Sequence, residues 1–144
     1  MQYSDIKKIK QFCDNLHSQP DWREVVEEIE NGSDDFEIDD VRFIESNSID
    51  AILEDELSSD PYILGCFASW AIADATGWPI ELIDIAQKND AFEDIGKALT
   101  GEHISDLASI LVQYDGYGHH FNRYDGSEEE LILNGRTYLV FDNH

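Results

Sequence analysis

The residues best suited to chemistry are concentrated between Tyr114 and Gly126. This stretch holds two histidines, three tyrosines, two aspartates and three glycines in 13 residues. Its histidines, His119 and His120, could bind a metal ion together with a nearby aspartate, or they could act as an acid–base pair.

The spacing of these histidines argues against both kinds of chemistry. Adjacent histidines on an extended chain point to opposite faces, so they rarely bind one ion. The chain has no HxxxH or HExxH pair and no cysteine cluster. We therefore expect an ordered loop whose side chains bond to the backbone. A binding role for this loop is one alternative hypothesis, with Asp115, Tyr117, His119, His120, Tyr124 and Asp125 as its residues. A small hydrolase using His119, His120 and Asp115 is another.

No other motif indicates catalysis or a cofactor. Cys13 and Cys66 lie outside any CxxC and in segments with helical patterns, which argues against a disulfide framework and favours a reducing, cytoplasmic compartment. Cys66 falls in the most apolar segment, where a thiol is a poor nucleophile. Asn31–Asp40 fails the calcium-loop pattern, since Phe36 occupies the position of its central glycine. The sequence therefore predicts a protein that is not an enzyme, with no catalytic residue, metal site or cofactor.

The second chemically distinctive feature is a run of carboxylates between Glu24 and Asp60. It contains 15 carboxylates and one base, Arg42. Carboxylates three or four residues apart on a helix are separated by about 5–6 Å along the axis, and phosphates on one DNA strand by about 3.4 Å. An acidic helix therefore approximates a row of phosphates in charge density. Nine of these carboxylates, here called the acidic segment, are the expected contact residues: Glu24, Glu27, Glu28, Glu30, Asp34, Asp35, Glu37, Asp39 and Asp40. Glu54, Asp55 and Glu56 are expected to add to them.

The charge of the whole chain limits its partners. The 32 acidic residues against 9 basic residues give a formal net charge of -23. Nucleic acids and anionic membranes would be repelled, which leaves basic protein surfaces and metal cations as partners. The competing interpretation is an acidic face kept only for solubility or salt tolerance.

The elements that must position these residues indicate an α+β fold. Helical patterns cover residues 4–18, 20–30, 48–57, 61–76, 79–85, 90–99 and 102–112, and the helix over 61–76 is apolar nearly all round and is expected to be the most buried. Residues 36–45 predict a bent strand or a hairpin. Residues 131–133 and 137–141, joined by Asn134-Gly135, predict a second hairpin that pairs with the first strand. The expected architecture is a cluster of about five to six helices packed on a small antiparallel sheet.

Length and hydropathy favour one domain over residues 1–144. The N-terminal residues lack the apolar run of a signal peptide. The longest apolar stretch, Pro61–Ala75, is shorter than the roughly 20 residues that a membrane helix needs.

Two stretches carry a resemblance to a known type of protein. Ser59-Asp60-Pro61-Tyr62-Ile63-Leu64-Gly65-Cys66-Phe67-Ala68, and Asp115–Gly126 followed by Tyr138-Leu139-Val140-Phe141, resemble small acidic proteins encoded by phages and prophages, of the antirestriction or anti-CRISPR type. The resemblance covers roughly residues 42–141 and leaves Glu24–Asp40 outside. It implies an inhibitor that occupies the nucleic-acid-binding surface of a host defence complex, and it brings over no catalytic residue.

The leading hypothesis is therefore an inhibitory binding protein that blocks a basic, nucleic-acid-binding host protein. The alternative is a structural or regulatory interaction module that binds through Tyr117–Tyr124, with the acidity serving only solubility.

Overall fold

The computed structural model describes all residues from Met1 to His144 and divides them into two compact units. The sheet unit comprises Met1–Ile49 and Tyr117–His144, and the helical unit comprises Asp50–Gly116. The expectation of one domain over the whole chain stays a prediction.

The sheet unit contains a four-stranded antiparallel sheet and three helices. The helices are α1 (Tyr3–Asn15), α2 (Trp22–Glu30) and the short α9 (Gly118–Phe121). The strands are β1 (Asp35–Ile38), β2 (Val41–Glu45), β3 (Glu129–Leu133) and β4 (Arg136–Asp142). Their order in the sheet is β1-β2-β4-β3, so β1 and β3 are the edge strands.

Period-two patterning explains why α1 and α2 cover one particular face of this sheet. In β1, Phe36 is buried while Asp35 and Glu37 are exposed, as expected when alternate side chains point to opposite faces. Phe36 joins a core formed with Ile9 of α1 and Ile29 of α2. The helices α1 and α2 therefore lie on the Phe36 face, and Asp35 and Glu37 lie on the other.

Two hairpins build the sheet: the sequence predicts the second, and the first is the hairpin alternative of the two interpretations left open for residues 36–45. Asp39 and Asp40 link β1 to β2 with φ of 51° and 67°, the left-handed conformation that a two-residue type I′ turn requires at both positions. Asn134-Gly135 links β3 to β4, and β4 pairs with β2. The predicted pairing of the C-terminal hairpin with the first strand region is confirmed.

Six helices follow, and all of them lie in the helical unit except for Ile49, the first residue of α3. They are α3 (Ile49–Ser58), α4 (Pro61–Gly65), α5 (Ser69–Thr76), α6 (Ile80–Lys88), α7 (Phe92–Ala98) and α8 (Gly101–Asp115). Helix α4 packs on α7, α5 packs on α8 and α6, and α6 packs on α7. The predicted α+β class is confirmed.

The long buried helix predicted over residues 61–76 is wrong. The chain leaves the helix at Cys66 and begins α5 at Ser69. Tyr62, Ile63 and Trp70 are largely exposed, so this region is not the most buried part of the protein. Cys66 is exposed as well, contrary to its expected burial.

The break lies next to a close contact between helix backbones. A side chain at Gly65 would overlap the backbone of Phe92, and one at Gly96 would overlap the backbone of Pro61. Helices α4 and α7 therefore touch through backbone atoms at two reciprocal glycines, a tertiary contact that apolar periodicity does not reveal.

Smaller differences concern helix starts. Helix α1 begins at Tyr3 rather than at residue 4. Helix α2 begins at Trp22, where the Asp21 carboxylate accepts the Arg23 N–H, rather than at residue 20. The stretch after Gly116, predicted only as an ordered loop, contains the short helix α9. No helix combines the length and the apolar character needed to cross a bilayer.

Candidate functional site

Helix α2, which carries four residues of the acidic segment, is fixed at its N-terminus. The Asp21 carboxylate accepts a hydrogen bond from the Arg23 N–H at 3.0 Å, so it caps the helix. The backbone N–H of Asp21 donates to the carboxylate of Asp39 at 3.0 Å. The start of α2 is thereby tied to the β1–β2 turn.

The C-terminus of α2 is fixed by β4. Arg136 donates to the Ile29 carbonyl and to the Glu45 carboxylate, each at 3.0 Å. The hydrogen bond with Glu45 raises the pKa of the Arg136 guanidinium above its usual value. Because α2 has no basic residue in its own last turn, Arg136 supplies the positive charge that a helix C-terminus favours.

Tyr138 ties the connection between α2 and β1 to the sheet. Its hydroxyl donates to the Ser33 carbonyl at 3.0 Å, and its ring is fully buried. Burial raises the pKa of this phenol, which therefore stays protonated and able to donate. The acidic segment is thus held at both helix ends and in the following connection.

The carboxylates of the acidic segment wrap around one edge of the sheet unit. Glu24, Glu27 and Glu28 lie at three- and four-residue spacing on α2, away from the buried Val25 and Ile29. Asp39 and Asp40 form the turn, and Asp35 and Glu37 lie on the sheet face opposite α2. The segment therefore forms a band around the β1 edge rather than one flat row.

Three of these carboxylates already have partners. Asp35 accepts two hydrogen bonds from Arg42, at 2.9 and 2.8 Å. Glu28 accepts from the Ser33 hydroxyl at 2.6 Å, and Asp39 accepts from Asp21. The other six are exposed and make no side-chain hydrogen bond or salt bridge: Glu24, Glu27, Glu30, Asp34, Glu37 and Asp40.

The three remaining predicted contact residues, Glu54, Asp55 and Glu56, lie on α3 in the helical unit. Glu54 is half-buried and accepts from the Ser105 hydroxyl at 2.9 Å. Asp55 is exposed, and Glu56 is half-buried. Nine of the twelve predicted contact residues therefore belong to one unit and three to the other.

The tyrosine–histidine loop is organised by a residue that sequence reasoning passed over, Asn122. This side chain is 3% exposed. Its carbonyl accepts from the N–H groups of Tyr124 and Asp125 at 3.0 and 3.2 Å, and its amide donates to the Ser127 carbonyl at 2.8 Å. Gly118 packs directly on the Gly126 carbonyl, where a side chain would overlap it. These contacts agree with the expected ordered loop bonded to backbone.

The candidate residues of this loop are distributed rather than convergent. His119 is exposed, whereas the His120 ring lies edge-on to Phe121 at a centroid distance of 4.7 Å. Asp125 accepts both the backbone N–H and the hydroxyl of Ser127, which lowers the pKa of its carboxyl. Asp115 belongs to the helical unit, whereas Tyr117 is the first residue of the second segment of the sheet unit, Tyr117–His144.

The ring of Tyr124 packs against an aromatic ring outside the loop and not against His119 or His120. Its ring lies 4.1 Å from that of His144, which stacks on His17 at 3.9 Å. No group of three or more histidine, cysteine or acidic side chains is arranged to hold a metal ion. Burial, with the negative charges of Asp14 and Asp21, raises the pKa of the Cys13 thiol to about 12.

Comparisons with protein families, with curated proteins and with solved structures each found no match to this chain. Its function is therefore inferred from the chemistry and geometry of its own residues.

Proposed function

We propose that the protein is an inhibitory binding protein whose acidic segment imitates nucleic acid and blocks a basic, nucleic-acid-binding host protein. The observation that carries this proposal is the set of six exposed carboxylates that make no side-chain hydrogen bond or salt bridge, held on a helix and hairpin that are anchored at three points. In the resemblance to phage-encoded inhibitors, the host protein would belong to a defence complex of the restriction or CRISPR type.

Anchoring matters because it reduces the conformational cost of binding. Carboxylates on a fixed scaffold already lie where the partner's lysines and arginines need them, so less side-chain and backbone freedom is lost on association. Their mutual repulsion is also relieved when positive charge arrives. Such an interface predicts fast association that weakens with salt.

Two observations favour the acidic segment over the loop of Tyr117–Tyr124 as the binding surface. Asn122 and Gly118 use the loop's backbone for internal contacts. The ring of Tyr124, at its end, packs against that of His144 at a centroid distance of 4.1 Å. The loop therefore has a structural role that needs no binding partner. The six exposed carboxylates make no hydrogen bond or salt bridge that would give them such a role.

The acidic residues also have a competing explanation that the same experiment must address. Because β1 is an edge strand, charges there prevent it from pairing with another chain. Solubility alone would make the number of carboxylates important but not their positions.

The test is a pull-down from a bacterial lysate with the full chain, at low and high salt, followed by mass spectrometry and competition with DNA or RNA. We expect capture of a basic nucleic-acid-binding protein at low salt and its release by nucleic acid. The triple change Glu24→Gln, Glu27→Gln and Glu30→Gln should weaken capture at least tenfold, because three phosphate-like charges are lost.

The matched control removes the same charge from the opposite edge of the sheet, through Glu128→Gln, Glu129→Gln and Glu130→Gln. Equal weakening by both triple changes would indicate that only net charge matters. Capture that is unchanged between low and high salt would contradict the electrostatic proposal. Loss of capture in the double variant His119→Ala and His120→Ala, without loss in the acidic variant, would favour the loop.

A further inference from the structure

A second surface of a different character lies in the helical unit. Helices α6 and α7 enclose an open groove of about 340 Å³. A single charged residue, Asp94, lines it, and the other lining residues are apolar: Trp78, Pro79, Leu82, Ile83, Ala86, Ala91, Ile95 and Ala98. A groove of this size accommodates a few apolar side chains.

One wall of the groove is held in place by hydrogen bonds and ring contacts. The backbone N–H of Trp78 donates to the Thr76 hydroxyl at 3.0 Å, and its indole lies edge-on to the His103 ring at 5.5 Å. His103 is fixed in turn by two hydrogen bonds with Thr100. Its ring Nδ1 accepts from the Thr100 backbone N–H, and its backbone N–H donates to the Thr100 hydroxyl. The groove is thus formed before any partner arrives.

The floor and the rim of the groove differ in exposure. Ile83 and Ile95 are buried, whereas Leu82 at the rim is 62% exposed and Ile85 on the same helix is 57% exposed. Apolar side chains that stay in water do not contribute the favourable free energy that their burial would give. Contiguous exposed apolar residues beside a groove are typical of an interaction surface.

Charge identifies the kind of molecule that covers it. Residues 78–98 carry five carboxylates and two lysines, and one of these lysines, Lys97, is paired with Glu93 at 3.2 Å. A second copy of a chain with net charge -23 would be repelled from this site. A segment that brings both apolar side chains and positive charge is complementary to it.

We propose that this groove binds the apolar face of a basic amphipathic segment of a partner protein. The inference deepens the proposed function, since the partner is again basic, but it rests on different residues. The acidic segment would govern salt-dependent encounter, and the groove would supply an apolar anchor of the kind that dominates binding energy at interfaces.

The test uses the full chain and a synthetic helical peptide with leucines along one face and arginines elsewhere. Binding of the fluorescently labelled peptide is titrated at high salt, where general charge attraction is screened. Leu82→Ser should weaken binding about tenfold, as expected for losing much of one leucine's burial. Ile132→Ser, which alters a 52% exposed residue on β3, should change it less than twofold.

The outcomes separate this inference from the proposed function. Equal affinity of Leu82→Ser and the unchanged chain at high salt would overturn it, as would equal binding, at low salt, of a peptide with glutamate in place of arginine. A dimer in sedimentation that Leu82→Ser dissociates would show that a second copy covers the groove. Lysate capture that Glu24, Glu27 and Glu30 control but Leu82 does not would leave the proposed function standing and the groove inference wrong.

Discussion

At the scale of single residues, a few polar side chains determine how the sheet unit is held together. Asp142 accepts hydrogen bonds from both the backbone N–H and the hydroxyl of Ser18, which joins the end of β4 to the chain after α1. Asn122 and Arg136 have similar roles in the loop and at α2. These contacts stabilise the sheet unit because they satisfy polar groups of distant segments.

Asp142 leads to a prediction about pH. Burial would raise the pKa of its carboxyl, but hydrogen bonds from Ser18 and the proximity of His144 outweigh that effect and lower it below the usual 3.8. The charged form therefore stabilises the fold above pH 4, and this contribution is lost as the pH falls through the lowered pKa. Asp142→Asn should destabilise the protein by about 1 kcal/mol at pH 7.

Urea denaturation of both proteins between pH 7 and pH 3 checks this expectation. The difference in unfolding free energy should shrink as the pH falls below 4, because the carboxyl of the unchanged chain then becomes neutral too. Comparing the two proteins cancels the general effect of acid on the other carboxylates. A difference that stays constant down to pH 3 would contradict the assigned role.

The residues of the acidic segment were predictable as a set, but their pairing was not. Exposed carboxylates around the buried Val25 and Ile29 follow from helical periodicity. Which of them have a partner depends on contacts across the sheet, such as Asp35 with Arg42, or between the β1–β2 turn and the start of α2, such as Asp39 with the Asp21 N–H. Those contacts exist only after the strands pair.

At the scale of elements, the contact of α4 with α7 shows where sequence patterns stop being informative. An apolar run over residues 61–76 predicts one buried helix by periodicity. The chain instead forms two short helices, and one of them meets α7 through backbone at Gly65 and Gly96. The glycines are visible in the sequence, but their partners are not.

This contact predicts that adding one methyl group at Gly65 lowers the stability of the protein substantially. Gly65→Ala should destabilise the protein by about 2–3 kcal/mol, because its Cβ would overlap the Phe92 carbonyl and force α4 and α7 apart. Thermal unfolding followed by circular dichroism measures the loss.

The matched control is Gly101→Ala at the start of α8, where a Cβ would meet nothing within 4 Å. Alanine is the better helix former there, so we expect a neutral or slightly stabilising effect. If the two substitutions had equal effects, the backbone contact between α4 and α7 would not be as close as described.

At the scale of the whole molecule, negative charge is present in both units. The chain carries -23 overall, and few of its carboxylates are in salt bridges. Repulsion among them opposes the compact state. The fold is therefore stabilised by its apolar cores despite its electrostatics.

Salt should consequently stabilise this protein. Raising NaCl from low to near-molar concentration should increase the melting temperature by roughly 5 °C, because screening weakens the repulsion. Calorimetry across a salt series measures it, and a melting temperature that does not change would contradict the account. MgCl₂ at matched ionic strength is the control, since a larger shift would indicate specific binding of a divalent cation.

The chain order of the sheet unit has a consequence for how the protein is made. Strands β2 and β4 are neighbours, yet the entire helical unit is synthesised between them. On the ribosome, the helical unit can form its local contacts before β4 is synthesised. The complete sheet forms only after β4 emerges, and joining β4 to β2 carries the entropic cost of closing a long loop. Arg136 and Tyr138, which hold the acidic segment, emerge with that strand. A truncated or interrupted translation product would therefore carry the carboxylates without the scaffold that orients them.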